Sequence, residues 1–239
     1  MREGYYAGAY WLGRQESAEA CARRAERFFH LLCGFDPAWG QWFRTGRSQS
    51  QALERRIEPM TAATFESLFS REEHQQFEDG FSLWAWNGQA RGDATGLILN
   101  CGSSSLDLCN SCTLNPPHRG PFAERVITAS VLSQTLKAMV MAWEPEWGIA
   151  TSDVHRDEVL KTAAVGTFVG WVMYFSRQRG RVPPMPEPVR VEPVEDKGTL
   201  IVLTPERFMA SNPEHVELAA HVQGLLSRAG LLGPLRPWS

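Results

Sequence analysis

The sequence predicts an α+β fold: a single domain over residues 1–239 in which a mainly antiparallel sheet is covered by several helices. Three observations lead there. Strand-like runs at 81–86, 95–101 and 111–115 follow one another directly. Their links contain Asn87-Gly88, Arg91-Gly92-Asp93 and Gly102-Ser103-Ser104, which are turn compositions and imply an antiparallel meander. Segments with apolar residues at spacings of three and four flank that meander instead of alternating with each strand. No internal repeat or clear boundary divides the chain.

The elements follow in order. Residues 4–12 are rich in Tyr and Trp and read as a first strand. A helix is expected over 16–32, because Ala18, Cys21, Ala22, Ala25, Phe28, Phe29 and Leu32 recur at helical spacing. Gly34 suits its C-terminus, and Asp36-Pro37 opposes continuation. Residues 39–56 are polar and basic, a loop with one short helical turn, anchored by Trp39, Trp42 and Phe43. A short helix over 61–69 leads into the acidic stretch 72–79. In the run 81–86, Phe81, Leu83 and Ala85 point one way and Trp84 and Trp86 the other, so both faces are expected to need cover. Pro116-Pro117 ends the meander. Pro121 starts one long helix to residue 142, with Phe122, Val126, Ala129, Leu132, Leu136, Met139 and Trp143 as its stripe. Further strands at 169–175 and 199–203 bring the sheet to about five or six strands, a usual size. Five prolines within 182–193 predict a polyproline-like excursion between them. Thr204-Pro205-Glu206 and Asn212-Pro213-Glu214 each present a cap, a proline and an acid. The last helix runs to 229 and is closed by Gly230.

Composition removes several function classes. Of the 239 residues 43% are hydrophobic and 21% charged, which supports an ordinary folded core. The net charge of −3 gives no global field for a polyanion, so direct nucleic-acid binding is not expected. The N-terminus lacks a basic start followed by an apolar run, and no stretch of about 18 apolar residues occurs, so neither a secretory signal nor a membrane span is expected. Five cysteines, an odd number widely scattered, read as reduced thiols in a cytoplasmic protein.

Two clusters could carry chemistry. Cys109 and Cys112 have zinc-knuckle spacing, with Cys101 and His118 near in sequence, but the second hook of a structural zinc site is missing. Free thiols packed as small hydrophobes are the simpler reading; a zinc-stabilised adaptor module is the alternative. Asp153, His155, Asp157 and Glu158 could bind a divalent cation, making a metal-assisted hydrolase built on Asp153, His155 and Asp157 a second alternative. The same residues also read as a surface helix capped by Ser152 or Asp153. Ser103, Ser104 and Ser105 lack the glycine frame of a nucleophile elbow, and no phosphate loop or HExxH pair is present. No catalytic residue, metal or cofactor is therefore assigned.

Protein binding is the favoured reading. Trp143-Glu144-Pro145-Glu146-Trp147 places two large rings and two carboxylates around a helix-stopping proline, a combination suited to an interface. The predicted binding surface is Trp143, Glu144, Glu146 and Trp147 with Asp153, Asp157 and Glu158. The acidic stretch containing Glu72, Glu73, Glu78 and Asp79 is the second choice. The competing reading buries both rings, Trp143 in the helix stripe and Trp147 at a strand start.

Several segments together resemble the immunity protein 52 family of bacterial polymorphic toxin systems: YYAGAYWLGRQESAEACARRAERF from Tyr5, DPAWGQWFRTGRS from Asp36, GFSLWAWNG from Gly80, NSCTL from Asn110, AWEPEWGIATSD from Ala142, VGWVMYFS from Val169, and GTLIVLTPERF with NPEHVELA near the end. The likeness runs in order along nearly the whole chain. The cysteine-rich 101–112 region departs from it, where more aliphatic residues are expected. The resemblance implies a non-enzymatic antitoxin without a cofactor, encoded beside its toxin. The partner it implies is a nuclease effector of the restriction-endonuclease-like type, delivered between competing cells as in type VI secretion. A nuclease groove is cationic, so acidic side chains would speed association.

Overall fold

The computed structural model describes residues 3–71, 74–75, 80–90, 92–161 and 167–235. The acidic stretch with Glu72, Glu73, Glu78 and Asp79 lies outside the described residues.

Nine strands among the described residues make one sheet. They are β1 (Tyr5–Trp11), β2 (Phe43–Arg44), β3 (Phe81–Trp86), β4 (Gly96–Cys101), β5 (Asn110–Asn115), β6 (Trp147–Ser152), β7 (Val172–Ser176), β8 (Arg190–Val194) and β9 (Gly198–Val202). Their order is β2-β3-β4-β5-β1-β6-β7-β9-β8, and every neighbouring pair is antiparallel. The predicted α+β class with an antiparallel sheet and helical cover is therefore the observed one.

The first helix, α1 (Ala18–Cys33), begins where the Ser17 hydroxyl accepts from the Ala20 N–H at 3.2 Å. It buries Cys21, Ala22, Ala25, Phe28, Phe29 and Leu32, the stripe that the spacing predicts. The polar region after it folds more than expected, into a 3₁₀ turn (Pro37–Trp39), β2 and α2 (Gln49–Leu53). The next helix, α3 (Ala62–Phe69), packs on α1, with Phe29 and Phe65 stacked at 5.0 Å.

The single long helix expected from Pro121 is two helices, α4 (Gly120–Val126) and α5 (Ala129–Trp143), bent by 68° at the break. Thr128 starts a second N-cap, its hydroxyl accepting from Val131 N–H at 3.2 Å. The apolar stripe runs through that break and hides it from periodicity. Small residues then let α5 lie close on the sheet: Ala7 and Ala9 of β1, Gly148 and Ala150 of β6. A Cβ on Gly148 would sit 3.4 Å from the α5 side chain Leu136.

Strand β8 has no counterpart in the sequence reading, and β6 has one only in the competing reading that starts a strand at Trp147. Short, continuously buried β6 shows no alternation. Within the proline-rich segment β8 forms the sheet's edge, where the missing N–H of Pro193 interrupts no inner ladder. Thr204-Pro205 starts no helix, although the Thr204 hydroxyl accepts from Glu206 N–H at 3.3 Å. The helices α6 (Asp153–Leu160) and α7 (Pro213–Arg228) complete the chain.

The expectation that both faces of the meander need cover is corrected. On the face toward α1, α3 and α5, Leu83, Leu97, Leu99, Cys101, Cys112 and Leu114 are buried. On the opposite face of β3–β5, Trp84 and Asn115 are exposed, while Ser82, Trp86, Gly96, Ile98, Asn100, Ser111 and Thr113 are half-buried. Trp84 is 56% exposed. Further along the sheet that face is closed, with Ile149, Met173, Phe175 and Ile201 buried. There Phe168 packs edge-on against Trp147 at 5.6 Å, and Gly233 ties to Thr167 and Arg179.

Candidate functional site

The corner after α5 is built inward. Trp143 is fully buried and stacks on Trp11 with ring centres 5.6 Å apart. Trp147 is 6% exposed and stacks on Tyr10 at 5.4 Å, the residue paired with it in the β1–β6 register. The reading that Pro145 forces these rings outward is corrected: β1 offers each ring a stacking partner, and aromatic burial outweighs exposure. Pro145 is itself buried.

Charge at the corner serves the helix end. Arg14 donates to the carbonyls of Trp143 (2.6 Å) and Glu144 (3.3 Å), and Arg24 to that of Ala142 (2.8 Å). These cations meet carbonyls that α5 leaves unpaired, at the negative end of its dipole. Glu144 takes the left-handed cap position (φ 48°, ψ 56°) and holds Lys197 at 2.6 Å and Arg24 at 3.3 Å. Lys197 and Arg24 hold its carboxyl below the usual range. Glu146 is buried against Arg179 at 3.1 Å, with side-chain exposures of 6% and 1%.

The acids of α6 sit elsewhere. Six residues of β6 separate the corner from Asp153, roughly 17 Å at strand rise, so the two halves of the predicted surface lie at opposite ends of one strand. Asp153 accepts from the Gly4 and Val154 N–H groups at 2.9 and 2.7 Å, while Ser152 caps the helix by accepting from His155 N–H at 3.0 Å. Asp157 and Glu158 are exposed, paired to Arg156 (2.8 Å) and Lys161 (2.7 Å). The His155 ring is buried, with Nε2 3.0 Å from the Val169 carbonyl and a T-shaped contact to Phe208 at 4.8 Å. Asp153, His155 and Asp157 thus point to three different tasks. Cys112 is buried on β5, whereas exposed Cys109 has its Sγ near the Trp11 carbonyl. Among the described residues no group of three or more His, Cys, Asp or Glu side chains is placed to hold a metal ion. No single helix among them is long and apolar enough to cross a membrane.

Burial lowers the His155 pKa from 6.5, which gives a pH prediction. Between 6.5 and the depressed folded value the unfolded chain binds more protons, so stability present above 6.5 is lost as pH falls through that window. Urea midpoints of the wild type should drop on going from neutral pH to below 6, and those of His155→Gln should drop less. Equal pH slopes for the two would count against a neutral, buried His155.

The fold is similar to that of a solved Pseudomonas aeruginosa T6SS protein, PA0821. That likeness has a TM-score of 0.55 at 13% identity and covers 93% of this chain and 72% of the other. It defines the class of fold. The sequence goes further: the match to Immunity protein 52 spans residues 3–235, and the chain belongs to that family. No curated protein matches the sequence.

Proposed function

We propose that this chain is the antitoxin of a toxin–immunity pair, acting in the cytoplasm by binding its toxin and not by catalysis. The partner we propose is a nuclease effector of the restriction-endonuclease-like type, delivered by type VI secretion. The observation that carries the reading is the family match over nearly the whole chain. Likeness to a T6SS protein fits the delivery route. The net charge of −3 suits a cationic nuclease, and the separate employment of Asp153, His155 and Asp157 weakens the hydrolase alternative.

Coexpression tests this directly. The toxin encoded by the adjacent gene should kill cells with loss of intact DNA, and this chain should restore growth and coelute with the toxin on size exclusion. The purified chain alone should leave nucleic acid intact with or without added divalent metal. Absence of rescue together with separate elution would overturn the proposal.

A further inference from the structure

We propose that Cys21 and Cys101 form a redox latch, a pair of buried thiols that a low-molecular-weight disulfide oxidises to a disulfide joining α1 to β4. The fold sets the pair. Cys21 stands in the first turn of α1, and Cys101 ends β4 on the face that α1 covers; neither has exposed surface. Their thiols share a hydrogen bond. The backbone holds them together. Just after Cys101 the chain turns through Gly102 at φ 80°, and a Cβ there would sit 3.1 Å from the Cys21 sulfur. The Gly102 carbonyl accepts from the Glu16 N–H at 3.2 Å, which ties the start of α1 to the end of β4.

Five cysteines offer other pairings, and geometry opposes them. Cys112 lies opposite Leu99 in the register, so it is only diagonal to Cys101. Diagonal neighbours stand roughly 7–8 Å apart, beyond the about 4.4–6.8 Å between Cα atoms that a disulfide usually spans. Cys33 is at the far end of α1, where its thiol donates to the Trp39 carbonyl at 3.1 Å. Exposed Cys109 has its Sγ 3.1 Å from the Asn110 carbonyl.

The closed fold keeps this pair slow to react. Burial, and then the hydrogen bond with Cys21, raise the Cys101 thiol well above its ordinary range and so disfavour the reactive thiolate. Attack waits for the first turn of α1 to open, which breaks the bond from the Cys21 N–H to the Ser17 carbonyl. The Cys21 thiolate then attacks the small disulfide, whose S–S bond breaks, and one half leaves and takes up a proton. Cys101 attacks the Cys21 sulfur of the mixed disulfide, and the second half leaves in the same way. The protein pair has given two electrons and two protons to the reagent, which ends as two thiols. The product closes the chain between residues 21 and 101 and so restrains the unfolded state. Disulfide stress would thereby make the fold harder to open.

The test refolds the full chain from urea in a buffer of reduced and oxidised glutathione, so that pairing is selected without a limit on access. Peptide mapping under non-reducing conditions should find Cys21 joined to Cys101 as the main disulfide. Against the reduced protein, the oxidised form should melt higher by roughly 5–15 °C, the size for a loop this long in a chain of this length. Dithiothreitol should reverse that shift. Cys21→Ala and Cys101→Ala should each abolish it, and Cys109→Ala should keep it. If an alanine variant does not fold, the wild-type map and paired melts decide alone. A dominant link through Cys33, Cys109 or Cys112 overturns the latch, as does Cys21 and Cys101 both remaining open to alkylation. A Cys21–Cys101 disulfide that leaves the melt unchanged or lowers it also overturns it, because the fold would then be strained by closure.

Discussion

Replacing Arg179 by Met with Glu146 left in place is expected to destabilise the protein by about 3–5 kcal/mol, the range for stranding one member of a buried ion pair. Both side chains are nearly inaccessible, and their contact is 3.1 Å. Arg179 also donates to the carbonyls of Gly233 and Pro234, so its loss frees the segment that closes the sheet over Phe168 and Trp147. Glu146 is fixed from two more directions: its N–H donates to Tyr10, and its carbonyl accepts from Ser176, both at 3.0 Å. The double variant Arg179→Met with Glu146→Gln removes both charges and should cost less than the two single losses added together. Urea unfolding of the three variants measures this. A single-variant loss below about 1 kcal/mol would place the pair in water and not in the core. It follows that a Glu146 variant which fails to bind toxin reports on folding before it reports on an interface.

The legible parts of this chain were those where one physical signal dominates. The stripe of α1 and the alternation of β3 and β4 each match a single period, and these elements fall within two residues of expectation. Family membership was legible for a different reason, since ordered segments along the whole chain cannot be mimicked by one motif. The break between α4 and α5 was hidden because the same apolar stripe runs through it; Thr128 two residues before Ser130 was the available cap signal. β6 was legible only as the strand start at Trp147 in the competing reading, because WGIATS is buried throughout and shows no period, and β8 was hidden because prolines dominate its surroundings while an edge strand tolerates them. At the corner the surface reading of the tryptophans fails and the competing buried reading holds, for a clear reason. Two rings flanking Glu-Pro-Glu look amphipathic in sequence, but Tyr10 and Trp11, more than a hundred residues earlier, supply their stacking partners. Conversely, Trp84 alternates like a residue needing cover, yet among the described residues it is 56% exposed.

That contrast makes Trp143→Ala the second large effect. Trp143 is fully buried, stacks on Trp11 at 5.6 Å with planes 16° apart, and its carbonyl takes the Arg14 guanidinium. Truncation leaves a cavity under the end of α5 and should cost about 3–5 kcal/mol. For a chain of this size that is a fall in melting temperature of roughly 6–20 °C. Trp84→Ala, removing the same side chain from a position 56% exposed, should change stability by about 1 kcal/mol or less, as surface substitutions do. Parallel melts of the two variants, followed by toxin binding well below both transitions, separate the roles. The Trp143 variant should bind normally once folded, because its ring faces the core, and the Trp84 variant should melt like the wild type. A Trp143→Ala protein that melts like wild type yet loses the toxin would return the corner to the interface.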